Sequence, residues 1–348
     1  MRQHFYPILL AALLAAVAAR VVLQPNHLLY PRAGQATDLT ITHWPAVAFN
    51  AQALREYGQV PLWRTTIASG GPWAANPQSW LFYPPAWLFF LLPPNITFNL
   101  LLLGHLALAA AATYRLGRRG LALQPAGAAL AALAFVLSPW LSAHLAAGHV
   151  NIAIALAWLP VALLGAHQAV EPQHIRGPVL IGVAWAAALL NHAQTALFVA
   201  MLTVVWTGWA AVRRGAPRSW LKPGSRVLLA AVLALLLSAA LLLPLAEALP
   251  YLNRGGLTLE EAGIFSVPWA HLVTTVIPTY AGEPELNVYL GIPLALLAVV
   301  ALVLARGEGA WLLAAVATVA GLFALGTHAP LFPALFRLVP GLQWLRVP

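Results

Sequence analysis

VLLAAVLALLLSAALLLPLA, residues 227–246, runs for twenty positions without an ionisable side chain, bounded by Arg226 and Glu247. As a helix rising 1.5 Å per residue it is about 30 Å long, the thickness of a bilayer's hydrocarbon core. Eight further stretches read the same way: 5–23, 96–114, 124–143, 150–169, 178–191, 195–212, 287–305 and 310–326. Residues 178–212 taken as one helix would reach roughly 50 Å, too long for one crossing. A turn at Asn191-His192-Ala193-Gln194 therefore divides them. The expectation is an all-α, polytopic membrane protein with about nine crossings.

Composition agrees. The chain is 61% apolar and 8% charged, with mean hydropathy +0.80, whereas soluble domains are about a quarter charged. With no cysteine, disulfides, thiolate metal sites and cysteine nucleophiles are excluded. The pI of 10.6 does not point to nucleic acid, because the basic residues form short clusters between apolar segments rather than a face or stripe. The first apolar stretch, after Arg2, ends in small residues like a secretory signal, but it runs on through Val21–Leu23 and reads as a retained span.

With the N-terminus inside, the inner loops hold Arg2, Arg115, Arg118, Arg119, Arg176, Arg213, Arg214, Arg218, Lys222, Arg226 and Arg306, eleven of eighteen cations. That is the positive-inside pattern, and it predicts a multi-pass protein of the cytoplasmic membrane. Seven of nine acids fall outside: Asp38, Glu56, Glu247, Glu260, Glu261, Glu283 and Glu285. Residues 1–348 read as a single transmembrane domain with two long extracytoplasmic loops, 24–95 and 247–286. The first contains a helical stretch, Trp44–Tyr57, then a Pro-, Gly- and Trp-rich run, 61–94. That run is too broken for one helix and too apolar for a solvated linker, so it reads as interfacial or re-entrant elements.

Asp38 is the only aspartate in the chain. It fits two compatible roles: a helix N-cap, or a general base taking a proton from an acceptor hydroxyl. His43 follows five residues later, as a hydrogen-bonded structural group or a substrate contact. No H-x-x-H or H-E-x-x-H spacing occurs, so no metal is assigned. Trp63, Trp73, Asn76, Gln78 and Tyr83 read equally as an interfacial aromatic belt or as a platform for a lipid or sugar. His149, beside Asn151, and His192 with Gln194 fall in loops on the same predicted side. His105, inside a span, reads as a buried hydrogen-bonded group. Arg254 suits an anionic phosphate, or a surface charge near Glu260 and Glu261. Neither G-x-x-x-x-G-K-[ST] nor G-x-G-x-x-G is present, so a phosphate-bearing donor would arrive through the membrane.

Taken in order, several short motifs follow Asp38: Gly58-x-x-Pro61-Leu62-Trp63, Gly70-Gly71-Pro72, Asn76-Pro77-Gln78 and Phe82-Tyr83-Pro84. Gly148-His149, Trp158-Leu159-Pro160, Asn191-His192-Ala193-Gln194, Tyr289-Leu290-Gly291 and Phe336-Arg337 continue the series. This order resembles the YfhO-like bacterial membrane proteins of the GT-C glycosyltransferase class. The resemblance implies a polyprenyl-phosphate sugar donor, a glycan or lipid acceptor, the bilayer as partner, and transfer on the outer face with no resident cofactor. Asp38 matches the family's acid by position, and Trp63, Asn76, Gln78 and Tyr83 fall in the site-shaping loop. Many such enzymes carry paired acids there. Here Thr37 and Leu39 flank Asp38, so a second acid comes from Glu56, Glu260 or Glu261, and the expected site is Asp38, Glu260 and Glu261 with His43, Trp63, Asn76, Gln78, Tyr83, His149 and Arg254. The chain stops at Pro348, where such families continue into further spans, so a truncated form is expected. Two other readings stay open: a transporter or flippase of a lipid-linked precursor, and a non-enzymatic envelope assembly factor. Transport requires ionisable groups deep in spans, and here only His105 lies there.

Overall fold

The computed structural model describes residues 6, 9–13, 15, 16, 19, 24, 27–29, 36–67, 69–171, 175–215, 221–251, 256–278, 286, 288–304, 308–339 and 341–345. They are mostly helical, with one two-residue ladder pairing Trp63 with Pro72 and Arg64 with Gly71. Most of the predicted first span, 5–23, lies outside them, and the described residues within it are helical. The helices are α1 (Trp44–Tyr57), α2 (Pro94–Arg119), α3 (Pro125–Val136), α4 (Pro139–Ala147), α5 (Val150–Ala157), α6 (Leu159–Ala169) and α7 (Arg176–Leu189). Then come α8 (Ala193–Arg213), α9 (Leu221–Ala248), α10 (Leu259–Ala262), α11 (Ile292–Leu304), α12 (Glu308–Ala324) and α13 (Leu331–Leu338).

Five helical stretches are long and apolar enough to cross a membrane: Pro94–Arg119, Pro125–Ala147, Val150–Ala169, Ala193–Arg213 and Leu221–Tyr251. Arg176–Leu189, Ile292–Leu304 and Gly309–Ala324 are apolar but shorter. The predicted turn is present, since α7 ends at Leu189 and α8 begins at Ala193. The predicted loop 144–149 is largely helix, because α4 continues to Ala147. The break falls earlier instead, at Leu137-Ser138 before Pro139. Pro160, which lacks the N–H to bond the Leu156 carbonyl, likewise divides the 150–169 stretch at Trp158, whereas Pro244 sits inside α9 without breaking it.

The chain divides into two compact units, residues 1–136 with 145–250, and residues 137–144 with 251–348. In the first, α7 packs between α6 and α9, and α8 packs on α6 and α7. Small residues let these backbones approach. A Cβ on Gly177 would lie 2.5 Å from the Ala169 backbone nitrogen. Polar side chains inside these helices find partners close by: Thr203 Oγ1 donates to the Val199 carbonyl (2.6 Å) and receives the Trp185 indole N–H (3.2 Å). At one end, arginines close the C-terminus of α6, whose last carbonyls have no helical donors. Arg226 Nη1 donates to the carbonyls of Ala169 and Glu171, both at 2.6 Å. Arg214 reaches the His167 carbonyl at 3.0 Å and the Glu171 carboxylate at 3.1 Å.

The long loop of the first unit is folded, not draped. A π-helical turn, Leu39–His43, leads into α1, which ends at Gly58 with φ +63°. Short 3-10 turns follow at Trp73–Ala75 and Pro84–Phe90, as the broken composition of 61–94 predicts. Asn50 organises them, donating to the Ser79 carbonyl (2.6 Å) and accepting the Trp73 indole N–H (2.7 Å). The Arg64 guanidinium, 8% exposed, lies over the rings of Trp73 (4.6 Å) and Phe49 (5.3 Å). Asn99 on α2 ties the chain before Asp38, accepting from Leu29 N (3.0 Å) and donating to the His27 carbonyl (2.7 Å).

In the second unit Phe332 and Phe336 of α13 pack with Ala262, and Leu257 N donates to the Gln343 carbonyl at 2.8 Å. The helix α11 buries none of its residues.

Because the α6–α7 approach leaves no room for a methyl, Gly177→Ala should cost about 1–3 kcal/mol by overpacking. Gly208, in α8 with nothing within 4 Å of a Cβ position, should tolerate alanine or gain roughly 0.5–1 kcal/mol. Thermal unfolding of both variants in detergent would measure the difference, and equal midpoints would contradict the packing.

Candidate functional site

Asp38 occupies the N-cap position of the π-turn, yet its carboxylate makes no capping bond. The chain turns instead on Thr37, whose carbonyl accepts from the Thr40 and Ile41 amides, both at 2.9 Å. Asp38 Oδ2 faces His149 Nε2 at 3.3 Å, with 48% of the Asp38 side chain and 15% of the His149 side chain exposed. Oδ1 has no protein partner among the described residues. The cap reading of Asp38 thus gives way to a carboxylate held on one edge and open on the other.

Gly148 makes this pairing possible. It sits at φ +90°, where a side chain is strained, and a Cβ there would lie 2.4 Å from Leu39 N and 2.9 Å from Asp38 N. The backbone before α5 is therefore pressed against the start of the π-turn. Only a glycine permits the approach that brings the next residue, His149, to the carboxylate.

His43, at the end of the same turn, is 1% exposed. Its Nδ1 accepts the Trp80 indole N–H at 3.2 Å, which leaves Nε2–H for the Asn151 side chain. Burial pushes its pKa down to about 4, and neighbouring His149 and His192 push the same way against the Asn151 bond. His192 caps α8, its Nδ1 accepting the Thr195 amide at 3.2 Å. Burial, with His149 nearby, lowers it to about 4 as well. Both rings are neutral at pH 7. His43 and His192 thus neighbour His149, which faces the half-exposed Asp38 carboxylate. Among the described residues, no three His, Cys, Asp or Glu side chains are placed to hold a metal ion.

Beneath lies a second network. Tyr83, 2% exposed, accepts the Trp158 indole N–H at 3.1 Å. It donates to His105 Nε2, because His105 Nδ1–H is committed to the Leu101 carbonyl at 2.6 Å. Burial pushes the Tyr83 hydroxyl well above its usual range, opposed by bonds from Trp158 and Asn191. The network ends on a backbone carbonyl, so it locks the loop to α2 and to Trp158, between α5 and α6, rather than passing a proton onward.

The structure therefore brings Asp38, His43 and His149 together and places Tyr83 in a separate network with His105 and Trp158. Trp63 stays 56% exposed in the short ladder. Asn76 closes its own turn, Oδ1 accepting from the Gln78 amide at 2.8 Å. Glu260 and Glu261 belong to the second unit, where Glu261 caps α10 by accepting from Thr258 N (2.8 Å) and Thr258 Oγ1 (2.9 Å). Arg254 lies outside the described residues. His105 is a buried hydrogen-bonded group, as read, and His192 satisfies local backbone as read, while also neighbouring His149. Trp80 and Asn151, the two partners of His43, were not singled out. The one available signal was a buried histidine's need for two hydrogen-bond partners.

Folded His43 and His192 titrate below their unfolded value of 6.5, so the unfolded chain binds more protons between pH 6.5 and about 4. Their contribution is complete above pH 6.5 and is lost as pH falls through that window, at roughly 1.4 kcal/mol per pH unit for each ring. Unfolding midpoints taken across pH 4–7 should fall, and the slope should be shallower in His43→Gln; identical slopes would mean that His43 is not buried neutral. No family model, curated protein or solved structure matches the chain.

Proposed function

We propose that this chain is a membrane glycosyltransferase that moves a sugar from a polyprenyl-phosphate donor to a glycan or lipid acceptor of the cell envelope. In this reading the nine crossings place Asp38 on the outer face of the cytoplasmic membrane. The observation that carries the reading is the Asp38 carboxylate itself. It is the sole aspartate, it is not spent on its helix, one oxygen faces His149, and the other has no protein partner among the described residues.

The chemistry follows from that geometry. Asp38 Oδ1 accepts the proton of the acceptor hydroxyl as the oxygen attacks the sugar's anomeric carbon. The bond from that carbon to the donor phosphate oxygen breaks, and polyprenyl phosphate leaves with the electron pair. Carboxylate charge beside an oxocarbenium-like transition state lowers its energy, as in glycoside cleavage generally. His149 fixes the carboxylate's orientation. The motif order from Asp38 to Phe336-Arg337 supports the same assignment as a YfhO-like, GT-C-class enzyme.

A proton-coupled transporter would use buried ionisable groups along a path. The Tyr83–His105 pair is the place such a path would start, and it stops at the Leu101 carbonyl. That observation favours the transferase.

Transfer of radiolabelled sugar from polyprenyl-phosphate donors, measured in membranes, tests the reading. Asp38→Asn should lower the rate by about 10²–10⁴-fold at unchanged protein level and unfolding midpoint. Wild-type rates in the variant would remove Asp38 from the chemistry, and an absence of transfer by the wild-type protein across a range of donors would reject the transferase.

A further inference from the structure

A recess of about 540 Å³ lies wholly within the second unit, between α10 and the turn Gly326–His328. Its size falls within the roughly 300–1,000 Å³ of small-molecule sites. Glu260, Ser266, Thr327 and His328 supply its polar lining, and Leu259 and Ile264 its apolar one.

The walls are tied together at one atom. Ser266 Oγ donates to the Gly263 carbonyl (2.6 Å), and accepts from Thr327 N (3.0 Å) and Thr327 Oγ1 (3.3 Å). A Cβ on Gly263 would lie 2.5 Å from Thr327 Cγ2, so the turn packs on α10 as closely as the backbone allows. The recess is a preformed feature of this unit, not a gap between loose segments.

Two adjacent acids divide their work here. Glu261 is committed to the capping box, and its bonds to Thr258 hold its carboxyl below the usual range. Glu260, one residue earlier, makes no bond to a protein group among the described residues and lines the recess instead. Trp269, 57% exposed, is tied to the rim of the recess at His328, where its indole N–H donates to the His328 carbonyl at 3.0 Å.

A carboxylate that accepts hydroxyl hydrogens, an imidazole and a threonine hydroxyl, apolar side chains and an exposed indole face are the groups that recognise a saccharide. The ring's C–H face packs on the indole and its hydroxyls bond to the carboxylate. The same carboxylate disfavours a phosphate or any other anion. We infer that this recess is a saccharide-binding subsite for a neutral or amino sugar, an inference that does not depend on the transferase reading. Glu260 is thereby a binding residue, and the proton-accepting role stays with Asp38.

The test uses the full chain in lipid nanodiscs, passed over an array of defined bacterial-envelope oligosaccharides, neutral, amino and phosphorylated. Wild type should be retained on a subset of neutral or amino glycans above the level of empty nanodiscs. Glu260→Gln should lower that retention tenfold or more, Trp269→Ala by a similar factor, and Trp269→Phe by less, because phenylalanine keeps a stacking face. Asp38→Asn should leave retention unchanged, which separates this recess from the transfer site. Retention confined to phosphorylated glycans, retention indifferent to Glu260→Gln and Trp269→Phe alike, or no retention above empty nanodiscs would overturn the subsite. Retention by a wild-type protein that transfers no sugar would sink the transferase reading and leave the subsite standing; transfer without retention would do the reverse.

Discussion

A bilayer core offers a peptide group no hydrogen-bond partner, and nearly every choice in this chain answers that constraint. Helices satisfy their own backbone, so the apolar stretches are helices. Where one must end or break, the structure supplies a substitute donor or acceptor. Arg214 and Arg226 bond the last carbonyls of α6, and His192 takes the Thr195 amide at the start of α8. The proline breaks at Pro139 and Pro160 are places where the ladder has already lost a donor.

The same constraint shapes the long loop of the first unit. It is rich in apolar side chains that belong out of water, so its irregular backbone has to be bonded internally. Asn50 and Asn99 do this with side-chain amides bonded to backbone carbonyls and an amide, while Trp80 and Tyr83 pin the loop through side-chain bonds to His43 and His105. Most of these partners are separated by twenty or more residues, so the loop's shape depends on the helices beneath it. The product is a rigid surface on which one carboxylate, Asp38, stays half exposed while the surrounding histidines His43 and His192 are buried and neutral.

Charge is sorted by use across the two units. Glu261 and Glu171 are spent on structure, the first on a helix cap and the second on Arg214. Asp38 and Glu260 are not: Asp38 is half exposed with one oxygen facing His149, and Glu260 lines the recess of the second unit. With nine acids in 348 residues, an uncommitted carboxylate marks a site more sharply here than it would in a soluble protein, where surface acids are plentiful.

Much of this was legible in the residues alone. Hydropathy and length set the helices, since twenty uncharged residues such as 227–246 leave no other structure in a membrane. The 178–212 stretch was divided correctly by length, and Trp44–Tyr57 by its helical spacing. Local breaks were less legible, and α4 runs through residues 144–147 that read as loop, because nothing in a short Ala-rich segment distinguishes helix from turn. The position of Asp38 in the chain singled it out, but only tertiary structure decided what its carboxylate faces. Its cap role was a local inference, and it failed because Gly148, 110 residues away in the chain, carries His149 to the carboxylate. Partners such as Trp80 for His43 and Trp158 for Tyr83 are set by packing between distant elements, and no spacing rule reaches that far.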